Sequence, residues 1–121
     1  MFEQLVSDDG GIELPFQLWR EAFINDADLA LAKSAYDALV RHPYATFTDK
    51  ITLSKPLAEI DIPKSYVNCQ EDIAMPHSFP WHPRLSEKLG LYRLVQMSGS
   101  HEVCFSDPQG LAKSIIAAAR D

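Results

Sequence analysis

The chain has 121 residues, enough for one ordinary domain with a useful core. Hydrophobic residues make up 46% and charged residues 23%, the balance of a soluble globular protein and not of a disordered one. The net charge of −6 argues against a nucleic-acid surface, and no apolar run approaches the roughly 18–20 residues of a membrane span. The acidic N-terminal stretch MFEQLVSDDGG has no basic leader region, so a signal peptide is not expected. Cys69 and Cys104 form no CxxC motif and there is no N-x-S/T sequon, which makes a reducing, cytoplasmic location the expectation.

Within residues 1–24 the turn signal DDGG separates FEQLV from IELPFQLW, as a short hairpin or two loops. Asn25 or Asp26 can cap a helix whose apolar positions Leu29, Ala32, Tyr36, Leu39 and Val40 recur at three- and four-residue steps. Pro43 disfavours the α conformation at His42, so the helix should stop before RHPY. Residues 44–63, with Pro56 and Pro63, read as a connector. KSYVNC (64–69) and LYRLVQM (91–97) are strand candidates. Between them, residues 78–89 predict a helix capped by Gly90, with Pro80 and Pro83 suited only to its first turn. A final helix begins at SDPQG, with Ser106 or Asp107 as N-cap and Pro108 near the first helical position. Leu111, Ile115, Ala118 and Ala119 are its expected buried face, and Gly110 weakens its start by about 1 kcal/mol relative to Ala.

Strand, helix, strand, helix is a βαβα unit, which implies parallel strands and a right-handed crossover. Residues just after each strand then share the C-terminal edge of the sheet, where open α/β sheets place their ligands. QEDIAMP follows the first strand and SGSHEV the second, so Asp72 and His101 reach one rim although 29 positions separate them. An Asp and a His on adjacent loops form the back half of a nucleophilic triad. The carboxylate fixes the imidazole tautomer, and the other ring nitrogen takes a proton from a hydroxyl. The bland alternatives are a capping aspartate and a solvated loop histidine.

The segments IPKSYVNCQEDIAMP and MSGSHEVCFSDPQGLAKSIIAAA resemble the C-terminal part of α/β-hydrolase esterases. The group most similar is that of the plant methylesterases and salicylate-binding esterases, with their bacterial homologues. Asp72, Pro76, His101, Ser106 and Pro108 stand at the matching positions, and the order acid before histidine agrees. PFQLWREAFINDADLALAKSAYDAL resembles the helical lid of these enzymes. The resemblance implies a partial α/β-hydrolase fold: residues 1–63 as a lid-like region and connector, and 64–121 as the βαβα part of the core. It also implies an ester hydrolase in which Asp72 orients and His101 acts as base. Related hydroxynitrile lyases place a lysine after the catalytic histidine; Glu102 stands there in this chain, which disfavours cyanohydrin chemistry.

The family's nucleophile sits on a G-x-S-x-G elbow, and no such elbow can be drawn through Gly10, Gly11, Gly90, Gly99 and Gly110. Ser98 and Ser100 share the histidine's own loop and cannot easily present an oxygen to its ring. Cys104, three residues beyond His101, could pair with it as a thiolate nucleophile, but it and Cys69 read more simply as small hydrophobes; His77, His82 and Cys69 fit no metal-ligand spacing. Phe16, Trp19, Phe79 and Trp81 are candidates to line an acyl pocket, with core packing as the plain alternative.

The expected activity is therefore hydrolysis of a small hydrophobic carboxylic ester, with no cofactor or metal and with the serine outside this chain. The alternative is a non-catalytic remnant that binds a small molecule or a protein. Two parallel strands alone do not make a stable sheet, so a homo-oligomer or a complementing N-terminal half is expected as partner.

Overall fold

The computed structural model describes residues 2–119 and opens with a 3₁₀ turn, Phe2–Leu5. At the DDGG turn Gly10 takes a φ of 77°, a left-handed conformation that costs glycine little. Val6 bridges Ile12 across this turn, so the possible hairpin is reduced to one bridge. Strand β1 (Gly11–Ile12) finds its main partner much later, pairing antiparallel with β2 (His42–Pro43).

The lid-like part lies between these two strands. Helix α1 (Phe16–Leu18) runs into a π-helical turn, Trp19–Phe23, and helix α2 follows at Leu29–Asp37. The N-cap of α2 is Asp28, whose carboxylate accepts from the Leu31 N–H at 2.8 Å. Asn25 and Asp26, the caps expected from the sequence, bond to other loops. The helix ends at Asp37, ahead of the proline, which leaves Leu39 and Val40 beyond it. Leu29 faces solvent, and the buried positions of α2 are Ala32 and Ala35.

These alanines let α2 approach Trp19, and with Ile24 and Ala27 they form the buried cluster of this region. The indole Nε1 donates to the Ala32 carbonyl at 3.0 Å, so the one polar atom of this side chain is paired inside the core. The Tyr36 hydroxyl donates to the Leu14 carbonyl at 2.6 Å and ties α2 to the segment after β1. The connector carries a short helix α3 (Ala45–Thr48) and a 3₁₀ turn at Leu57–Glu59.

Strands β3 (Ser65–Cys69) and β4 (Arg93–Met97) pair in parallel, from Ser65 opposite Arg93 to Cys69 opposite Met97. The helix expected over residues 78–89 does not form; only a 3₁₀ turn at Ser86–Leu89 is present, closed by Gly90 at φ 74°. Pro80 and Pro83 remove donors and bias the residues before them away from α, so no helical ladder can start among them.

After β4 come α4 (Val103–Ser106) and α5 (Pro108–Ala119). Asp107 caps α5 by accepting from the Gly110 N–H at 2.9 Å. Ser65 Oγ donates to the Ala118 carbonyl and Arg93 Nη1 to that of Ala117, which anchors the end of α5 on the strands. The expected buried face is only partly covered: no described residue of α5 is buried, and Ile115 and Ile116 are 53% and 54% exposed. Two strands offer too narrow a surface to cover such a helix. No helix among the described residues is long and apolar enough to cross a membrane.

Candidate active site

The strand ladder continues past both strands. Gln70 N–H donates to the Met97 carbonyl and Glu71 N–H to that of Gly99, at 2.9 and 3.1 Å. The Glu71 carboxylate accepts in return from the Gly99 N–H. The two loops therefore leave the sheet side by side. Asp72 closes its own turn by accepting from the Ala74 N–H at 3.0 Å. On the other loop Gly99 sits at φ 132°, and a Cβ there would lie 2.4 Å from Val103 Cγ2. Only glycine lets the chain pass so close to α4.

This geometry brings Asp72 and His101 together, with Oδ2 2.9 Å from Nδ1. An ionised carboxylate only accepts, so the proton of the neutral ring sits on Nδ1 and Nε2 is left as the acceptor. No hydrogen bond to Nε2 is present among the described residues. The His101 side chain is 32% exposed and that of Asp72 15%, so the pair is sheltered while the imidazole stays reachable. The bond from Asp72 raises the His101 pKa above 6.5; burial opposes it, and the charges of Asp72 and Glu102 add to the rise.

Aromatic rings hold the imidazole on two sides. Trp81 stacks on it at 5.4 Å and 17°, and Phe23 meets it edge-on at 5.4 Å and 85°. A cleft of about 460 Å³ opens beside it, lined by His101 with Ile12, Leu14, Trp19, Phe23 and Tyr36 among others. Of the four aromatic candidates, Trp19 forms part of the cleft wall, although its bulk is core. Phe16 packs edge-on against Tyr36. Trp81 belongs to the histidine's other surroundings, and Phe79 is half-exposed beneath the Arg84 guanidinium at 3.6 Å. Phe23 and Tyr36 were not singled out from the sequence as pocket residues. Phe23 carried a signal, since it follows Trp19 by four positions and stacks on it at 6.3 Å.

The other nucleophile candidates are placed plainly. Ser100 is fully buried, and its oxygen accepts from the Glu102 N–H at 3.3 Å. Burial and the nearby Glu102 push the Cys104 thiol up, away from the reactive thiolate. A second serine–histidine contact, Ser86 Oγ to His82 Nδ1 at 2.7 Å, is closed to solvent on the serine side, where the hydroxyl donates to the Pro83 carbonyl. No group of three metal-ligating side chains occurs among the described residues.

Comparison with solved structures decides the fold. An extracellular α/β-hydrolase from a Paenibacillus species matches with a TM-score of 0.91 at 35% identity. It is described as sharing structural and functional homology with tobacco salicylic acid binding protein 2. The fold is that of part of an α/β-hydrolase. The match covers 99% of this chain and 51% of the other, so this chain spans about half the length of the solved hydrolase. Helices followed by a parallel strand pair and a C-terminal helix are consistent with the C-terminal portion of an α/β-hydrolase, and the resemblance to the salicylate-binding esterase group holds. No family model matches the chain, and no curated protein does.

One expectation is corrected by this comparison. Two cysteines without a CxxC motif and no N-x-S/T sequon point to the cytoplasm, whereas the matching α/β-hydrolase is extracellular. Disulfides substitute for a core in small secreted domains. The free thiols of Cys69 and Cys104 therefore do not fix the compartment.

Proposed function

We propose that this α/β-hydrolase chain contributes the acid and the base for hydrolysis of a small, hydrophobic carboxylic ester. The 2.9 Å contact between Asp72 and His101, with Nε2 left open, carries this reading. His101 is the general base and Asp72 the acid that orients it. The nucleophilic serine and the oxyanion hole come from sequence outside these 121 residues. Nε2 takes the serine proton as the oxygen attacks the ester carbonyl, then returns it to the departing alkoxide. Water repeats the cycle on the acyl-enzyme. Acyl transfer of this kind requires no cofactor. The apolar cleft beside His101 suits the hydrophobic part of such an ester, with Trp19 in its wall.

The partner in this reading is a complementing N-terminal half, or a second copy of the chain. The test is hydrolysis of an activated short-chain aryl ester by the chain alone and with a complementing half that carries a G-x-S-x-G elbow. The chain alone is expected to show no rate above His101→Ala. The complemented protein should turn over, and His101→Ala or Asp72→Asn should lower its kcat by about 10³–10⁴-fold. Hydrolysis by the complemented protein that survives His101→Ala would overturn the assignment.

A second reading rests on the exposed apolar surface of Leu94, Ile115 and Ile116: a non-catalytic module that binds a small molecule or protein. Complementation that restores folding and ligand binding but no turnover would favour it.

A further inference from the structure

Asn25 and Asp26 have the chemistry of helix caps, yet each reaches across to a loop of the acid–histidine pair. Asn25 Nδ2 donates to the Glu71 carbonyl at 3.3 Å, one residue before Asp72. Asp26 Oδ2 accepts from the Ser100 N–H at 3.0 Å, one residue before His101, and from the Ser106 hydroxyl at 2.7 Å. A third tie runs from the Glu102 N–H to the Phe23 carbonyl at 3.0 Å. The histidine loop is thus held before His101 by the segment that links the aromatic turn to α2, and after it by the end of that turn.

We propose that Asp26 is a positioning residue: through Ser100 it holds His101 in register with Asp72, and it couples the seating of the lid-like segment to the orientation of the imidazole. The loop needs such a hold. Gly99 is tied to Glu71 on the neighbouring loop, but past it the Ser100 hydroxyl accepts from the Glu102 N–H and its other bond is to Asp26. The ring's hydrogen bond to Asp72 and its contacts with Trp81 and Phe23 all depend on where the loop backbone places it. An ionised acceptor makes a hydrogen bond roughly twice as strong as a neutral one. Burial pushes the Asp26 carboxyl up, but the donors from Ser100 and Ser106 outweigh it and keep it below the ordinary aspartate range.

The Ser100 N–H and the Ser106 hydroxyl end on a single oxygen, Oδ2. An asparagine amide oxygen in the same place can accept both, so geometry and charge can be separated by experiment. The charges that act on His101 itself are those of Asp72 and Glu102, with Glu71 on the neighbouring loop bonded to Gly99.

The inference rests on His101 as the base, but its test requires no turnover and stands or fails apart from the ester assay. Nitrogen-15 NMR of His101 and amide exchange at Ser100 are compared in the intact chain, Asp26→Ala and Asp26→Asn. Asp26→Ala is expected to lose the single Nδ1-protonated tautomer, to lower the His101 pKa toward 6.5, and to speed Ser100 exchange by about tenfold. Asp26→Asn, which keeps the acceptor but loses the charge, is expected to keep the Nδ1-protonated tautomer and to exchange Ser100 at a rate between those of the parent chain and Asp26→Ala. An unchanged tautomer and exchange rate in Asp26→Ala overturns the proposal. So does an Asp26→Asn that behaves as Asp26→Ala, because charge and not placement would then be what matters. If Asp26→Ala does not fold, Asp26→Ser, whose hydroxyl stops short of both donors, takes its place in the same comparison.

Discussion

At the scale of single residues, the Asp72–His101 bond makes opposite demands on stability and on catalysis. The imidazolium is favoured in the folded chain, so the His101 pKa lies above its unfolded value near 6.5. A raised folded pKa contributes stability that is fully present below the unfolded pKa and is lost as pH rises through the folded value. Urea denaturation from pH 5 to pH 9 is expected to show this loss in the parent chain and not in His101→Gln. The base must be neutral to work, so turnover of the complemented protein should rise with pH through a midpoint above 6.5. A midpoint below 6.5 would mean that the carboxylate does not govern the ring.

At the scale of elements, the two strands and the last helix were legible in the sequence. KSYVNC and LYRLVQM are short β-rich runs bounded by turn residues, and SDPQG carries a cap and a proline at helix-starting positions. The parallel pairing followed from their order, and with it the meeting of Asp72 and His101. What was not legible depended on tertiary partners. Asn25, Asp26 and Asp28 are all competent caps, and only the positions of Glu71, Ser100 and Ser106 decide that Asp28 is the one used. The helix predicted over residues 78–89 failed locally, because prolines inside the pattern outweigh its apolar spacing. The histidine loop is the element most exposed to a single change. Gly99→Ala adds a methyl against the buried Val103 at a φ that side chains avoid. It should cost about 2–4 kcal/mol by the same urea titration, from strain and overpacking together. A cost below about 1 kcal/mol would show that α4 yields freely.

At the scale of the whole molecule, packing is uneven. The lid-like part has its own buried cluster around Trp19, whereas β3 is largely half-buried, β4 is mostly exposed and α5 leaves Ile115 and Ile116 open. Among the described residues β3 and β4 pair only with each other, so each keeps one free edge. The isolated chain is expected to self-associate at micromolar concentration in sedimentation velocity. Ile115→Lys should shift it toward monomer, and a complementing half should do the same by occupying the surface. A parent chain that stays monomeric and cooperatively folded would show that two strands and their helices suffice.

The near-parallel stacking of Trp81 on His101 also gives the molecule an optical reporter. A protonated imidazole accepts an electron from an excited indole at contact distance, so it quenches emission that the neutral ring leaves intact. The chain has two tryptophans, and the other, Trp19, is fully buried with its indole N–H paired. In Trp19→Phe, the remaining emission should dim on acidification with the midpoint of His101. His101→Gln should abolish that inflection, so the charge state of the base can be followed by light before any substrate is known.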